Sequence, residues 1–284
     1  MIIADLHMHS TASDGTLTPD AVVERAAALG CGCMALTDHD TVAGLSEAAA
    51  AAEACGIRLI PGIEMSCGGD REIHVLGYGF APDHPAILEY CRHKREERFL
   101  RAERMVERLA ENGMPIGLER VLRLAKGAPG RPHVARALIE AGHATSVKEA
   151  ITRFLIPGKC AYVPKSEVSV AQAVRVLAQA GGIAVLAHPA QLSIGKEALE
   201  SVVCEWASQG LRGIEVYHPS ADAGDLPRFL GIARRIGLLV TGGSDFHGRE
   251  VKPDIEIGQG LSRWQGEQDD LRALLAACRL PESM

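Results

Sequence analysis

The chain reads as an α/β protein, a distorted β/α barrel of seven strands carrying a small helical insert. Two observations predict the barrel: short apolar runs alternate with helix-length segments, and histidines and acidic residues collect where those runs end. A third, a long stretch with no strand signal, predicts the insert. With 284 residues, 47% hydrophobic and 23% charged, the chain can bury a substantial core, and a barrel of roughly 250 residues commonly forms one domain.

Ile2 to Leu6 is the first apolar run. Thr18-Pro19, a cap followed by proline at the first helical position, opens a helix from Pro19 to Leu29, and Gly30 stops it. Cys33 to Leu36 is the second run. The helix from Leu45 to Cys55 contains the alanine-rich Glu47 to Ala54, a strong helix former, and ends at Gly56. Ile57 to Ile63 and Ile73 to Tyr78 are the third and fourth runs. After the insert come a helix from Val170 to Ala180, the run Ile183 to Ala187, a helix from Lys196 to Ser208, and the run Gly213 to Tyr217. A helix from Asp225 to Ile236, stopped by Gly237, leads to the last run, Leu238 to Thr241. Most runs read as buried parallel strands joined by right-handed crossovers.

From Pro85 to Tyr162 the pattern is helical throughout, with a long charged segment from Arg92 to Asn112 and shorter ones after Gly117, Arg131 and Ser146. We therefore expect a barrel from residues 1–84 and 163–284, and an insert over 85–162 that forms a lid or substrate wall.

Composition narrows the function. A net charge of -6 does not suit a protein that coats nucleic acid, which normally presents a basic face; a short nucleotide held in a pocket is compatible. The start has no basic region followed by an apolar core, and no run is long enough to cross a bilayer, so a cytoplasmic protein with no membrane partner is expected. The eight cysteines are dispersed and read as reduced, mostly buried apolar residues. Cys31-Gly-Cys33 opens an apolar run rather than closing one, which favours a packing role over a metal or redox role.

Nine residues carry the chemistry: His7, His9, Asp14, His39, Glu64, His74, His188, Asp245 and His247. Imidazole and carboxylate together suit zinc, manganese or iron, and a set this rich can hold more than one ion. His7 and His9 stand two apart at a strand end and so point to one side. With His39, Glu64, His188, His218 and Asp245 they lie at or just past the C-terminal ends of strands, the rim where such barrels place active sites. The set points to a hydrolase with a polynuclear metal centre.

Asp5-Leu-His7-Met-His9-Ser10, Thr37-Asp38-His39-Asp40, Gly62-Ile63-Glu64, Ala187-His188-Pro189 and Ser244-Asp245-Phe246-His247 resemble, in order, the motifs of the PHP (polymerase and histidinol phosphatase) family. The resemblance implies a distorted (β/α)7 barrel with a trinuclear centre of divalent ions, manganese first, with iron or zinc as alternatives. It implies a first ion on His7, His9, Glu64 and Asp245, a second sharing the bridging Glu64 with His74 and His188, and a third on Asp14, His39 and His247. Many relatives carry histidine where Asp14 stands, which favours a harder third ion. The implied nucleophile is a hydroxide bridging the ions, with Glu64 and Asp245 as the catalytic carboxylates.

Asp5 and Asp38 read as residues that orient neighbouring histidines; the alternative for Asp38 and Asp40 is capping a helix after Thr41. His218 suits protonation of a leaving group, phosphate binding or a structural hydrogen bond. Substrate recognition calls for fixed cations, and Arg131, His133 and Lys165 lie in or at the edge of the insert; Arg131 suits bidentate phosphate binding, or a solvated helix-end charge. Arg92, Lys94, Arg95, Arg98, Arg101 and Arg104, interleaved with Glu96, Glu97 and Glu103, read as an exposed helix laced by ion pairs. His84, His93 and His143 receive no role.

Gly-Arg-Pro-His-Val-Ala, Ala-Tyr-Val-Pro-Lys and Gly-Ile-Glu-Val-Tyr-His resemble a nucleotide-acting branch of the family. Its members remove the 3'-phosphate of 3',5'-nucleoside bisphosphates or trim short RNA from the 5' end. The expected activity is therefore a metal-dependent phosphatase on a small nucleotide, with exoribonuclease, histidinol phosphate phosphatase, amidohydrolase and non-catalytic metal-binding module as alternatives.

Overall fold

A computed structural model describes residues 4–68, 73–125, 129–165, 168–192, 194–261, 264 and 268–280. Seven strands form one sheet in chain order: β1 (Ala4–Asp5), β2 (Cys33–Leu36), β3 (Arg58–Cys67), β4 (Ile73–Tyr78), β5 (Ile183–Leu186), β6 (Gly213–Tyr217) and β7 (Leu239–Gly242). Ile2 and Ile3 of the first expected run lie outside the described residues. The sheet curls until its edges nearly meet. Met8 bridges Phe246, and Leu6 N–H donates to the Gly242 carbonyl at 3.1 Å, bringing β1 beside β7.

Helices α1 (Pro19–Ala28), α2 (Leu45–Cys55), α7 (Val170–Gln179), α8 (Lys196–Ser208) and α9 (Asp225–Ile236) fall where the periodicity predicts. Gly56 and Gly237 close α2 and α9 in the left-handed conformation that glycine adopts without a Cβ penalty. The Thr18 hydroxyl makes no cap bond to α1 and bonds Asp20 instead. A further helix, α10 (Gln268–Ala277), packs near β7, and the sequence reading does not contain it.

One strand departs from the parallel succession. β4 pairs antiparallel with both β3 and β5. The reason is connection length: Cys67 pairs with Ile73, so the chain turns back in a hairpin, whereas a parallel partner needs a crossover of a dozen or more residues. The reversal places His74, near the beginning of β4, on the rim where the other strands end.

Between β4 and β5 lie α3 (Pro85–Glu111), α4 (Leu118–Ala125), α5 (Arg131–Glu140), α6 (Val147–Ala150) and a π-helical turn over Ile151–Leu155. His84 caps α3, its Nδ1 accepting from Ala86 N–H at 3.2 Å. Ile87 and Tyr90 of α3 belong to the barrel core, whereas Ala102, Met105 and Leu109 of the same helix pack with Val121, Val134, Leu138 and Leu155 in a second cluster. A single helix therefore runs from one core into the other.

The expected exposed charged helix is half wrong. Lys94 and Arg101 are buried, and Arg98 is 20% exposed and paired with Asp40. Positions 94, 98, 101 and 105 follow the i, i+4, i+7, i+11 stripe that faces the core. Only the other flank, with Arg92 bonded to Glu89 and Glu96, is the solvated ion-pair face.

Asp40, at φ 55°, turns its carboxylate toward α3, where it accepts from Tyr90 Oη at 2.5 Å, Ser66 N–H at 2.8 Å and the Arg98 guanidinium. Burial pushes this carboxyl up, but Arg98 and Lys94 outweigh burial and hold it far below the ordinary carboxylate range. Its stabilisation is therefore complete above about pH 4, where an unfolded aspartate ionises, and is lost as pH falls toward the folded value. Asp40→Ala is expected to cost about 3 kcal/mol by leaving Arg98 without its carboxylate, measured by denaturant unfolding at pH 7. The cost should shrink below about pH 4.

Candidate metal centre and active site

Glu64 is the hub of the rim. It is 1% exposed and lies inside β3, which continues to Cys67 rather than ending before it, a correction to the expected strand boundary. Its Oε1 is 2.8 Å from His74 Nδ1 and 3.0 Å from His188 Nε2. Its Oε2 is 3.2 Å from His7 Nε2, 3.1 Å from His9 Nε2 and 3.1 Å from His39 Nδ1. Both carboxylate oxygens are thus ringed by imidazole nitrogens.

The remaining ligand candidates join the same cluster. Asp245 Oδ1 faces His9 Nε2 at 3.3 Å and His7 Nε2 at 3.5 Å. Asp14 Oδ1 is 3.4 Å from His247 Nε2, and its Oδ2 is 4.0 Å from His39 Nε2. Among the described residues, four groupings bring donor atoms within 4.8 Å of one another: His7, His9 and Asp245; His39, Glu64 and His74; His9, Asp14, His39 and His247; and His7, Glu215 and His218. The geometry adds His9 to the third expected set and draws His39 toward Glu64.

The chemistry of these donors fits divalent cations. His7 Nε2, both nitrogens of His9, His39 Nδ1, Glu64 Oε2, His74 Nε2 and His188 Nδ1 are buried with no hydrogen-bond partner. A buried polar atom costs about 1–3 kcal/mol when left unsatisfied, so a cluster of them marks a place built for something else. Burial raises the carboxyls of Glu64, Asp14 and Asp245, yet the surrounding histidines outweigh it and hold all three well below the usual range. Burial holds His39 and His74 below the ordinary imidazole value, whereas at His7 and His9 burial is outweighed by the neighbouring carboxylates, which raise them above it, so a metal ion binding there displaces a proton. Ionised carboxylates and neutral imidazoles are the forms that bind metal.

Several sequence assignments change. Neither Asp5 nor Asp38 touches a histidine ring. Asp5 accepts backbone N–H groups from Ser244 at 2.9 Å, Gly258 at 2.8 Å and His7 at 3.3 Å, tying β1 to the loop after β7. Asp38 accepts from Ser10 N–H and Oγ and from Ser13 Oγ at 2.6–2.8 Å, bracing the loop that carries Asp14. Neither Asp38 nor Asp40 caps α2, whose N-cap is Gly44.

Glu215, fully buried on β6, is the residue that orients a ligand: its Oε1 is 3.0 Å from His7 Nδ1. An acidic residue inside the apolar run Gly-Ile-Glu-Val-Tyr is the signal that could have found it, because such residues are rarely fully buried unless paired. Lys252, also absent from the sequence reading, donates to Asp245 Oδ2. His218 approaches that same oxygen through Nε2 at 3.3 Å, and its Nδ1 accepts from Ser220 N–H at 3.0 Å. Accepting there leaves the proton of a neutral ring on Nε2, directed at Asp245.

Backbone packing is as tight as the polar packing. A Cβ on Gly243 would lie 2.1 Å from that of His7, so only glycine lets the loop after β7 pass behind this ring.

A cavity of about 130 Å³ opens from the cluster toward the insert, lined by Asp14, His39 and His74 and by Arg98, Arg101, Arg131, His133 and Lys165. The structure thus brings Arg131, His133 and Lys165 to the cluster, leaves His218 outside this lining, and adds the half-buried Arg98 and the buried Arg101. His133 differs from the others in charge: its Nδ1 accepts from Gly130 N–H at 3.0 Å, and burial pushes it down to about 4. It faces the cavity neutral at pH 7. A larger groove of about 660 Å³ between α2 and β3 is lined by Val42, Leu45 and Leu59 and contains none of the ligand candidates. The ionisable chemistry places the site in the smaller cavity.

The PHP domain model matches residues 5–103. The 5'-3' exoribonuclease Rnm of Escherichia coli is 38% identical over 264 residues, covering 92% of this chain and 89% of that protein. The 3',5'-nucleoside bisphosphate phosphatase of Chromobacterium violaceum is 38% identical over 255 residues, covering 87% of this chain and 90% of that protein. Among solved structures, a Bifidobacterium adolescentis protein assigned provisionally as a metal-dependent phosphoesterase superposes with a TM-score of 0.85 at 34% identity over 96% of both chains. With 38% identity to such relatives over most of its length, and with the five motifs that carry the resemblance gathered at one rim of the seven-stranded sheet, this chain belongs to the PHP family.

Proposed function

We propose that this protein is a metal-dependent phosphoric ester hydrolase that removes the 3'-phosphate of 3',5'-nucleoside bisphosphates. The observation that carries the reading is the mixed lining of the cavity: Asp14, His39 and His74 of the cluster share it with Arg101, Arg131 and Lys165. A substrate with two anionic groups has a place for each. The relative bearing this activity in its name supports the same reading.

His7, His9, Glu64 and Asp245, then His74 and His188 with Glu64, then Asp14, His39 and His247 would hold three ions, manganese first. Bound divalent ions would neutralise the ester and make a water acidic enough to attack at neutral pH. The chain's own residues do the rest. Glu64 turns Oε1 to His74 and His188 and Oε2 to His7, His9 and His39, and Asp245 presents Oδ1 while Lys252 and His218 hold Oδ2. Arg131 and Lys165 bind the second phosphate, which fixes the scissile ester over the floor and supplies orientation. His218, with its Nε2 proton on Asp245, acts as a positioning residue rather than as a free acid.

A second reading, 5'-3' trimming of short RNA, is favoured by the equal identity of the exoribonuclease relative. Phosphate release from adenosine 3',5'-bisphosphate by the manganese-loaded protein, run beside AMP release from a short RNA, separates the two. Fast phosphate release with slow trimming is expected; the reverse reassigns the protein as an exoribonuclease, and silence on both transfers the weight to histidinol phosphate. Among the described residues no helix is long and apolar enough to cross a membrane; the cytoplasmic location is a separate proposal.

Metal should also stabilise the fold. Free metal at a hundredfold over its Kd adds about 2.7 kcal/mol, so chelation is expected to lower Tm by several degrees and Mn2+ to restore it. A thermal scan with no change on chelation would count against the metal centre.

A further inference from the structure

We propose that Glu215 is the positioning residue that couples the ions of this centre, because one buried carboxylate on β6 fixes ligands assigned to two of them. The inference rests on the metal-centre reading above and deepens it.

Glu215 divides its oxygens between two partners. Oε1 meets His7 Nδ1 at 3.0 Å, and Oε2 accepts the backbone N–H of His188 at 2.7 Å. At the first contact an acceptor-only carboxylate requires the proton to be on Nδ1, which leaves the lone pair of His7 on Nε2. That nitrogen faces Glu64 Oε2 and Asp245 Oδ1. At the second contact the carboxylate restrains a strained backbone: His188 has φ 28° and ψ 61°, a region that costs about 1–3 kcal/mol outside glycine. In this conformation His188 Nε2 reaches Glu64 Oε1 at 3.0 Å, and its ring stacks on His7 at 5.8 Å.

The two tasks demand glutamate. Glutamine offers one acceptor and one donor, so one of the two N–H groups would meet an NH2. Aspartate is a methylene shorter and reaches one partner at most. A histidine partner of this kind typically changes metal affinity 10–100-fold. Loss of a residue serving His7 alone would weaken one ion; loss of Glu215 should weaken two.

The test titrates metal-free parent, E215Q and E215L with Mn2+ alone in a chelator competition, with circular dichroism and Tm to verify folding. Each variant is expected to bind Mn2+ 10–100-fold more weakly and, at free Mn2+ that saturates the parent, to fall short by more than one ion. Histidine 15N spectra of the proteins loaded with diamagnetic Zn2+ should show His7 with its proton on Nδ1 in the parent and a changed tautomer in E215L, with His9 and His247 unaltered. Parent-like affinity, a deficit of one ion, or an unchanged His7 tautomer overturns the proposal. If neither variant folds, E215D carries the same comparison with the same expected loss. A parent that takes up no Mn2+ sinks the metal centre and this proposal together, whereas a parent that loads Mn2+ but cleaves no phosphate ester sinks only the proposed activity.

Discussion

Glu64→Gln is expected to abolish both metal uptake and turnover. The substitution keeps shape but removes the charge at the one point where five histidines converge, His7, His9, His39, His74 and His188. Removing one member of a buried charged cluster costs about 3–5 kcal/mol. At tenfold per 1.4 kcal/mol this is about 10²–10⁴ in metal affinity. The amide also turns an NH2 toward nitrogens that need an acceptor or an ion. Phosphate release should fall at least in proportion, and excess metal should not restore it, because the bridge itself is missing. Elemental analysis of the purified variant beside steady-state phosphate release checks this. Full metal content with parent-like turnover would remove Glu64 from the centre.

Much of this site could be read in the sequence because it lies where strands end. His7, His9, His39, His188 and Asp245 each come just after an apolar run, and parallel strands deliver the residues at their C-terminal ends to one rim. His74 obeys a different rule: it reaches the rim only because the short connection after Cys67 turns β4 around, and that connection length was itself visible. Arg98 and Arg101 were harder. Their helix carries charges on every face, and only the packing of Ile87, Tyr90 and Met105 shows which flank is inward. The second task of Glu215 was hidden for another reason. Its partner at His188 is a backbone N–H, and backbone partners leave no mark in residue identity. Asp40 escaped through its left-handed φ, which turns its carboxylate from the expected helix cap toward Arg98.

Arg131→Ala should discriminate between substrates rather than abolish catalysis. Arg131 lines the cavity together with Asp14, His39 and His74 and stands at the first position of α5, behind Gly130. That helix start adds its own partial positive charge near the proposed second phosphate. A hydrogen bond to a charged group contributes about 1.5–3 kcal/mol, so its loss should raise KM for adenosine 3',5'-bisphosphate about 10–150-fold. An aryl phosphate has no second anion to meet the guanidinium, and its KM should change by less than about threefold. kcat for the aryl ester should also hold, because Arg131 is assigned no contact with the reacting phosphate. Lys165→Ala should act in the same direction but more weakly, as an ammonium is a point charge without the planar fork. In the double variant the two losses should add if each cation contacts its own oxygen, and fall short of adding if they share one. Equal effects on both substrates would place Arg131 outside the specificity pocket and leave Arg101 and Lys165 as its basis.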